Sequence, residues 1–281
     1  MSRIVYLNGN FVPIDEATIP LMDRGFLFGD GIYEVTAALD GRLIDNAPHL
    51  ARLDRSLKAI GIPNPYTDAE WTRRQTELIR RNDFAEGLVY IEVTRGVFER
   101  DFLCPENLTP TVVMFTQPKA LRDHPLAKPG AAIVTVPDLR WKRRDIKSVS
   151  LLAQVLAKQA ARAAKAAEAW MVEDGLVTEG ASSTAFIIAK DRRILTRPLS
   201  TAVLAGVTRG AVLKLAEEND LRLELAPFSV ADALAAAEVF YTSASTLVMP
   251  VVSIDGQRIG DGRPGPLATE LRQLYLDMAI A

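Results

Sequence analysis

The sequence predicts an α/β protein of the α+β kind, built as two domains, on three observations. Its 281 residues exceed the roughly 100–200 that a single hydrophobic core usually organises. β-rich runs alternate with helical patterns along the chain, and 48% of its residues are apolar, enough for a core in each half. Between Gln117 and Gly130, three prolines, a glycine and several charges break every apolar period. Domains of residues 1–119 and 131–281 are therefore expected, joined by a linker at 120–130, with Lys147 in the larger C-terminal domain.

Each element has a local cause. Residues 4–7 and 11–12 flank the turn residues Asn8-Gly9-Asn10 and read as strands. Residues 32–39 and 42–44 read as a hairpin, because Asp40-Gly41 readily adopts the positive φ angles of a tight turn. A helix is expected over 48–60: Pro48 suits its first turn, Leu50, Leu53, Leu57 and Ile60 share one face, and Gly61 can end it. Thr67 with Glu70 has the spacing of a capping box, opening a helix that carries Trp71, Leu78 and Ile79. Strands at 88–94 and 111–116 then complete the first sheet. In the second half, strands are expected at 131–136, 185–189, 223–225, 239–242 and 247–254, the last ending in Asp255-Gly256. Alanine and leucine content makes 150–168 the strongest helix pattern, and 207–219 and 266–279 also read as helical.

Composition narrows the function. Lys+Arg 33 against Asp+Glu 35 gives a net charge of −2, so no overall field draws the chain to nucleic acid or an anionic membrane. A small-molecule substrate is the expected partner. Cys104, the sole cysteine, excludes an intramolecular disulfide and fits a reducing compartment, and with His49 and His124 as the only histidines no zinc site of the usual kind is expected. The first ten residues lack the apolar core of a secretory signal, and no run approaches the roughly 18–20 apolar residues of a membrane span, so a cytoplasmic location is expected.

Lys147, in Asp145-Ile146-Lys147-Ser148, and Glu179, in Thr178-Glu179-Gly180, are the pair with most chemical content. A reactive amine and a carboxylate that holds a cation are the two groups pyridoxal phosphate chemistry requires: the amine condenses with the aldehyde, and the carboxylate keeps the ring nitrogen protonated. Either residue alone is more often a surface lysine or a turn glutamate. Gly206-Val207-Thr208-Arg209-Gly210 opens a helix whose free N–H groups and hydroxyl suit a phosphate, with a plain cap by Thr208 equally compatible with the spacing. Thr242-Ser243-Ala244-Ser245 places hydroxyls directly after a strand, as a simple Ser/Thr turn also would. Arg140-Trp141-Lys142-Arg143-Arg144 reads as a solvated charged strand end rather than a nucleic-acid patch. Gly25-Phe26-Leu27-Phe28-Gly29-Asp30-Gly31 lacks the context of a nucleotide loop, and His49 has no Gly-x-Ser-x-Gly nucleophile to serve.

Taken in order, Asp23-Arg24-Gly25, Phe28-Gly29-Asp30-Gly31-Ile32-Tyr33-Glu34-Val35, His49-Leu50-Ala51-Arg52-Leu53, Val93-Thr94-Arg95-Gly96, Asp145-Ile146-Lys147-Ser148, Leu156-Ala157-Lys158-Gln159, Val177-Thr178-Glu179-Gly180 and Gly206-Val207-Thr208-Arg209 resemble the fold-type IV pyridoxal-phosphate enzymes. Within them the likeness is to the D-amino-acid aminotransferases, and it runs nearly end to end. The resemblance implies a two-domain fold with the site between the domains, a homodimer whose neighbouring subunit completes that site, and transfer of an amino group from a D-amino acid to a 2-oxo acid. It implies that Lys147 is the Schiff-base lysine and the acid/base at the substrate Cα. By the same likeness Glu179 would pair with the pyridinium nitrogen, and Arg52, Val207, Thr208 and Ser243 would hold the phosphate. Leu204 would pack on the ring, and Tyr33 and Arg100 would bind the substrate carboxylate.

One departure stands out. D-amino-acid aminotransferases commonly carry Arg-x-His where this chain has Arg100-Asp101-Phe102. Phe102 cannot donate, which removes a hydrogen bond of about 0.5–1.5 kcal/mol, or about 1.5–3 if charged. Transamination of (R)-amines or branched-chain amino acids, lysis of 4-amino-4-deoxychorismate, and a non-catalytic cofactor-binding role are the alternative readings.

Overall fold

The computed structural model describes residues 2–280. Their contacts divide the chain into two compact units, Met1–Lys119 with Ile146–Ser150, and Ala120–Asp145 with Leu151–Ala281.

The first unit is built on an antiparallel sheet. Its strands are β1 (Ile4–Leu7), β2 (Asn10–Pro13), β3 (Gly31–Leu39), β4 (Arg42–Leu43), β5 (Gly87–Thr94) and β6 (Thr111–Pro118), and its helices α1 (Arg24–Phe28), α2 (Asn46–Ala59) and α3 (Asp68–Arg81). The strand order is β2-β1-β6-β5-β3-β4. The β3–β4 turn has φ of 50° at Asp40 and 71° at Gly41, the geometry expected of Asp-Gly. Thr67 caps α3 in a full capping box with Glu70. Leu50, Leu53 and Leu57 of α2 join Trp71 and Leu78 of α3 on Ile32, Val89, Ile91, Val93 and Met114 of the sheet, forming one core. The side-chain period of two sends Ile32 and Glu34 to that helix-covered face and Tyr33 to the other.

The second unit is a nine-stranded mixed sheet with helices α4 (Leu152–Ala163), α5 (Val207–Glu218), α6 (Val230–Ala235) and α7 (Pro266–Ile280). Its strands are β7 (Ala131–Pro137), β8 (Glu168–Glu173), β9 (Leu176–Gly180), β10 (Thr184–Ile188), β11 (Ile194–Thr196), β12 (Leu223–Leu225), β13 (Glu238–Ser243), β14 (Leu247–Ile254) and β15 (Gln257–Arg258). The order is β12-β11-β10-β13-β14-β7-β8-β9, with β15 paired to β14. Ala131, Ile133, Trp170, Phe228, Tyr241, Met249 and Val251 form the principal core. Ala157 and Ala161 bring α4 against Ala169 and Met171 of β8, where small side chains permit close approach.

Three expectations are corrected. Lys147 belongs to the first unit: the N–H of Tyr33 donates to the carbonyl of Lys147 (2.9 Å), that of Val149 to Gly31 (3.1 Å), and Ile146 is buried in the first core. Residues 120–130 are no free linker but part of the second unit, where Leu121 is fully buried and its carbonyl accepts from Arg272. The helix expected to reach Glu168 ends at Ala163. Lys165 turns left-handed (φ 57°), the Ala166 N–H closes on the carbonyl of Ala161 (2.8 Å), and Glu168 opens β8. The short helices α1 and α6 carried no apolar period long enough to reveal them.

Trp71 is fully buried, donates from Nε1 to Asn64 Oδ1 (3.0 Å) and meets Tyr66 edge-on at 4.8 Å. Trp71→Ala should lower unfolding free energy by about 3–5 kcal/mol and Thr67→Ala by about 1 kcal/mol. Both are measurable as shifts in urea midpoint, and equal effects would contradict the packing described.

Candidate active site

In the first unit, the segment from Ile146 to Ser150 runs beside the start of β3, with an antiparallel bridge between Ile32 and Ser148. The Lys147 N–H donates to Ser56 Oγ on α2 (3.3 Å), and Lys147 Nζ stands 4.1 Å from the centroid of the Tyr33 ring. Tyr33 stacks on Tyr90 (5.7 Å), which stacks on Phe115 (4.6 Å), so the amine rests at the end of an aromatic row. On the helix-covered face, Arg52 donates from Nε to Glu34 Oε1 (2.6 Å) and from Nη2 to Oε2 (2.8 Å), and His49 Nδ1–H donates to the same Oε2 (2.7 Å). All three side chains are buried. Burial alone would raise the Glu34 carboxyl, but the charge and hydrogen bonds of Arg52, with His49, hold it far below the usual carboxylate range. Burial pushes the His49 imidazolium down against the pull of Glu34, so His49 is neutral near pH 7.

Arg100 is not gathered with these residues. It is exposed, its guanidinium 5.5 Å from the Phe28 ring, and it makes no hydrogen bond to Tyr33. Phe102 is 81% exposed, with its ring 5.5 Å from that of Phe28.

In the second unit Glu179 and Leu204 are joined directly, and Val207, Thr208 and Ser243 lie at the ends of neighbouring elements. Glu179, near the end of β9, is 4% exposed; its carboxylate accepts from Arg140 Nη1 and from the Leu204 N–H (3.1 and 3.2 Å to its two oxygens). Burial raises the Glu179 carboxyl above its ordinary value, outweighing the attraction of Arg140 and the Leu204 N–H. Gly206 caps α5, so Thr208 lies inside the first turn and is not the cap; no side chain caps these N–H groups. A Cβ at Gly206 would stand 2.7 Å from Thr184 Oγ1, and Thr184 pairs with Thr242 across β10 and β13. That contact places Gly206, just before Val207 and Thr208, against the end of β10 that pairs with the residue preceding Ser243. Ser243 Oγ shares hydrogen bonds with Thr246 Oγ1 (2.8 Å) and Ser245 Oγ (3.1 Å).

The charged run at 140–144 is solvated only in part: Trp141, Lys142 and Arg143 are exposed as expected, whereas Arg140 and Arg144 are buried. Arg140 donates from Nη2 to Asp138 (2.7 Å) as well as to Glu179, and Arg144 from Nη1 to Glu173 (2.8 Å), each guanidinium almost wholly buried. Thr178 donates to Asp138 Oδ2 (2.6 Å), closing a network around Glu179. Sequence reasoning missed Arg140, Asp138 and Glu34 as supports. Their only local signal is opposite charge at short spacing, which exposed pairs share. Among the described residues no group of His, Cys, Asp and Glu could hold a metal ion, and no helix is long and apolar enough to cross a membrane.

The Arg52–Glu34–His49 cluster has a pH signature. The folded value of Glu34 lies below its ordinary 4.5, so the stability it contributes is present above that pH and is lost as pH falls through the carboxylate range. His49, lowered from 6.5, adds stability that is full above that pH and declines below it. Urea midpoints should therefore fall as pH is lowered from 7 to 4. Glu34→Gln should cost about 3–5 kcal/mol at pH 7 and flatten the dependence below pH 5; a variant that kept the wild-type slope there would exclude Glu34 as its source.

The model of the amino-transferase class IV family matches residues 31–254. D-alanine aminotransferase of Bacillus licheniformis is 41% identical over 274 residues, 95% of this chain and 94% of that protein. D-alanine aminotransferase of Staphylococcus haemolyticus is 38% identical over 96% of the chain and 95% of its own length. Among solved structures, Escherichia coli branched-chain amino acid aminotransferase superposes with a TM-score of 0.91 at 22% identity, covering 99% of this chain and 95% of that one. Branched-chain aminotransferase from Thermoproteus uzoniensis, solved with norvaline, gives 0.87 at 25% identity, covering 100% and 95%. With the family model spanning most of its length and relatives near 40% identity, the chain belongs to the class IV aminotransferases, with their two-sheet, fold-type IV architecture.

Proposed function

We propose that this aminotransferase depends on pyridoxal phosphate and moves an amino group between a D-amino acid, D-alanine foremost, and a 2-oxo acid such as 2-oxoglutarate. The observation that carries the reading is the 41% identity to a D-alanine aminotransferase over nearly the whole chain. The donor set fits the cofactor. Glu179 is a buried carboxyl whose ionised form a cationic ring nitrogen would favour, and the α5 start offers N–H groups with no side-chain cap while the Ser243 turn offers a hydroxyl, both suited to a phosphate.

When bound, the cofactor supplies a carbon that carries the amino group and a ring that accepts the electron pair left by the departing Cα proton. Lys147 Nζ would be the base that takes the substrate Cα proton and the acid that returns it at the cofactor C4′ carbon. Glu179 would hold the proton on the ring nitrogen, with Arg140 fixing the Glu179 side chain in place and favouring its ionised form against burial. By the family likeness, Arg52, the N–H groups of Val207 and Thr208, and the hydroxyls of Thr208 and Ser243 would hold the phosphate. Leu204 packs on the ring, while its N–H anchors Glu179. Tyr33 would bind the substrate carboxylate; Arg100, which stands by Phe28 and apart from Tyr33 in its own subunit, would be contributed to that carboxylate by the second copy, without the donor that Phe102 replaces.

A homodimer is part of the same proposal. Leu21, Phe26, Phe102 and Leu103 are each more than 70% exposed in the first unit, apolar area that a second copy would cover. A cytoplasmic location accords with the single cysteine, Cys104. Branched-chain transamination is the second reading, supported by 25% identity to the Thermoproteus uzoniensis branched-chain aminotransferase over the whole chain.

Purified protein should transfer the amino group of D-alanine to 2-oxoglutarate, with kcat/KM at least about a hundredfold lower for L-alanine, L-leucine, an (R)-arylamine or aminodeoxychorismate. Lys147→Ala should reduce kcat by about a thousandfold or more. Preference for L-leucine would replace the main reading with the second, and a wild-type rate in Lys147→Ala would remove Lys147 from the mechanism.

A further inference from the structure

Arg272, on α7, is 6% exposed, yet no carboxylate lies within ion-pair distance of it among the described residues. Its guanidinium is satisfied by main chain alone. Nη1 donates to the carbonyls of Thr246 (2.7 Å) and Val248 (2.8 Å), and Nη2 to those of Leu121 and Arg122. The two carbonyls on Nη1 flank Leu247. Among the described non-glycine residues with positive φ, the others are Asn, Asp, Lys or Arg; Leu247, at φ 57°, is the one apolar residue, and it is fully buried. A leucine in the left-handed region is strained and persists only where its surroundings over-determine it. Arg272 supplies that determination by gripping the backbone on both sides.

Leu247 is the hinge between the hydroxyl turn and β14. Its conformation sets the direction in which Thr246 leaves the strand, and Thr246 Oγ1 is the group that Ser243 Oγ meets at 2.8 Å. We propose that Arg272 is a positioning residue for phosphate binding: by clamping the carbonyls of Thr246 and Val248 around a left-handed Leu247, it holds the Ser243–Thr246 turn in the shape that receives the phosphate. This rests on the assignment of Ser243 to the phosphate made above. Arg272 itself touches no reacting atom; it acts through the turn. Its planar, two-nitrogen fork is essential to the role, because a lysine in its place keeps the charge but presents a single nitrogen to carbonyls on two separate segments.

The test compares two ligands that differ only in the phosphate. Full-length wild type, Arg272→Lys and Arg272→Met are titrated with pyridoxal 5′-phosphate and with pyridoxal by equilibrium dialysis, and their folding is checked by circular dichroism and Tm. Arg272→Lys should bind pyridoxal 5′-phosphate about tenfold more weakly or worse, with affinity for pyridoxal within about twofold of wild type. Arg272→Met should show the same split more strongly; if it does not fold, the lysine variant carries the comparison. Equal weakening of both ligands would mean a merely structural role and overturn the proposal, as would an unchanged ratio between them. A wild type that binds the two ligands equally would be a different result, overturning the phosphate assignment itself and this proposal with it.

Discussion

Backbone pairing between the start of β3 and the segment from Ile146 to Ser150 is the constraint on which the first half of the site depends. Two hydrogen bonds, from Tyr33 to the Lys147 carbonyl and from Val149 to that of Gly31, fix a residue that is otherwise a long, flexible amine. Because neighbouring strand residues face opposite ways, one short stretch of β3 does two jobs. Tyr33 lies beneath Lys147 Nζ, and Glu34 reaches the other way to orient Arg52. Ser56, one helical turn from Arg52 on α2, accepts from the Lys147 N–H and ties the amine to the same framework.

Buried charge is the second organising element, and composition conceals it. With Lys+Arg 33 and Asp+Glu 35 the chain looks like an ordinary balanced surface. Yet the guanidinium groups of Arg52, Arg140 and Arg144 are buried against Glu34, Asp138, Glu179 and Glu173, and that of Arg272 against four carbonyls. Desolvating such groups costs several kcal/mol each, so the pairs add little net stability. What they contribute is position. A buried guanidinium that must satisfy its N–H groups has few permitted orientations, and neither do its partners.

How much was legible follows from the range of the interactions. The Asp40-Gly41 turn and the Thr67–Glu70 capping box are encoded within four residues, and both took the expected geometry. Helices with a sustained apolar face, such as α2 and α3, were likewise readable from their period. The end of α4 was not, because a left-handed Lys165 has no side-chain signature. Nor was the grouping of Lys147 with the first unit, which depends on pairing with a strand more than a hundred residues earlier. At the candidate site, the order of the motifs pointed to the family, which the family match and the relatives bear out, whereas the supports carried no such signal. Arg140 and Glu179 are 39 residues apart, and nothing near Arg140 distinguishes it from exposed Arg143.

The burial that raises the Glu179 carboxyl is also what makes it selective. On an exposed surface, a carboxylate facing a cation gains about 0–1 kcal/mol and discriminates weakly against neutral partners. Shielded from water, the same charge interacts several times more strongly, and a neutral partner leaves the desolvation cost unrelieved. Arg140 and the Leu204 N–H meet part of that cost, enough to hold the carboxylate in a fixed orientation. They do not meet all of it, since the carboxyl remains above its ordinary value despite both. In the role proposed for Glu179, that remainder would be met by a protonated ring nitrogen and not by an uncharged ring, so the groups that orient Glu179 would also bias which ligand it takes.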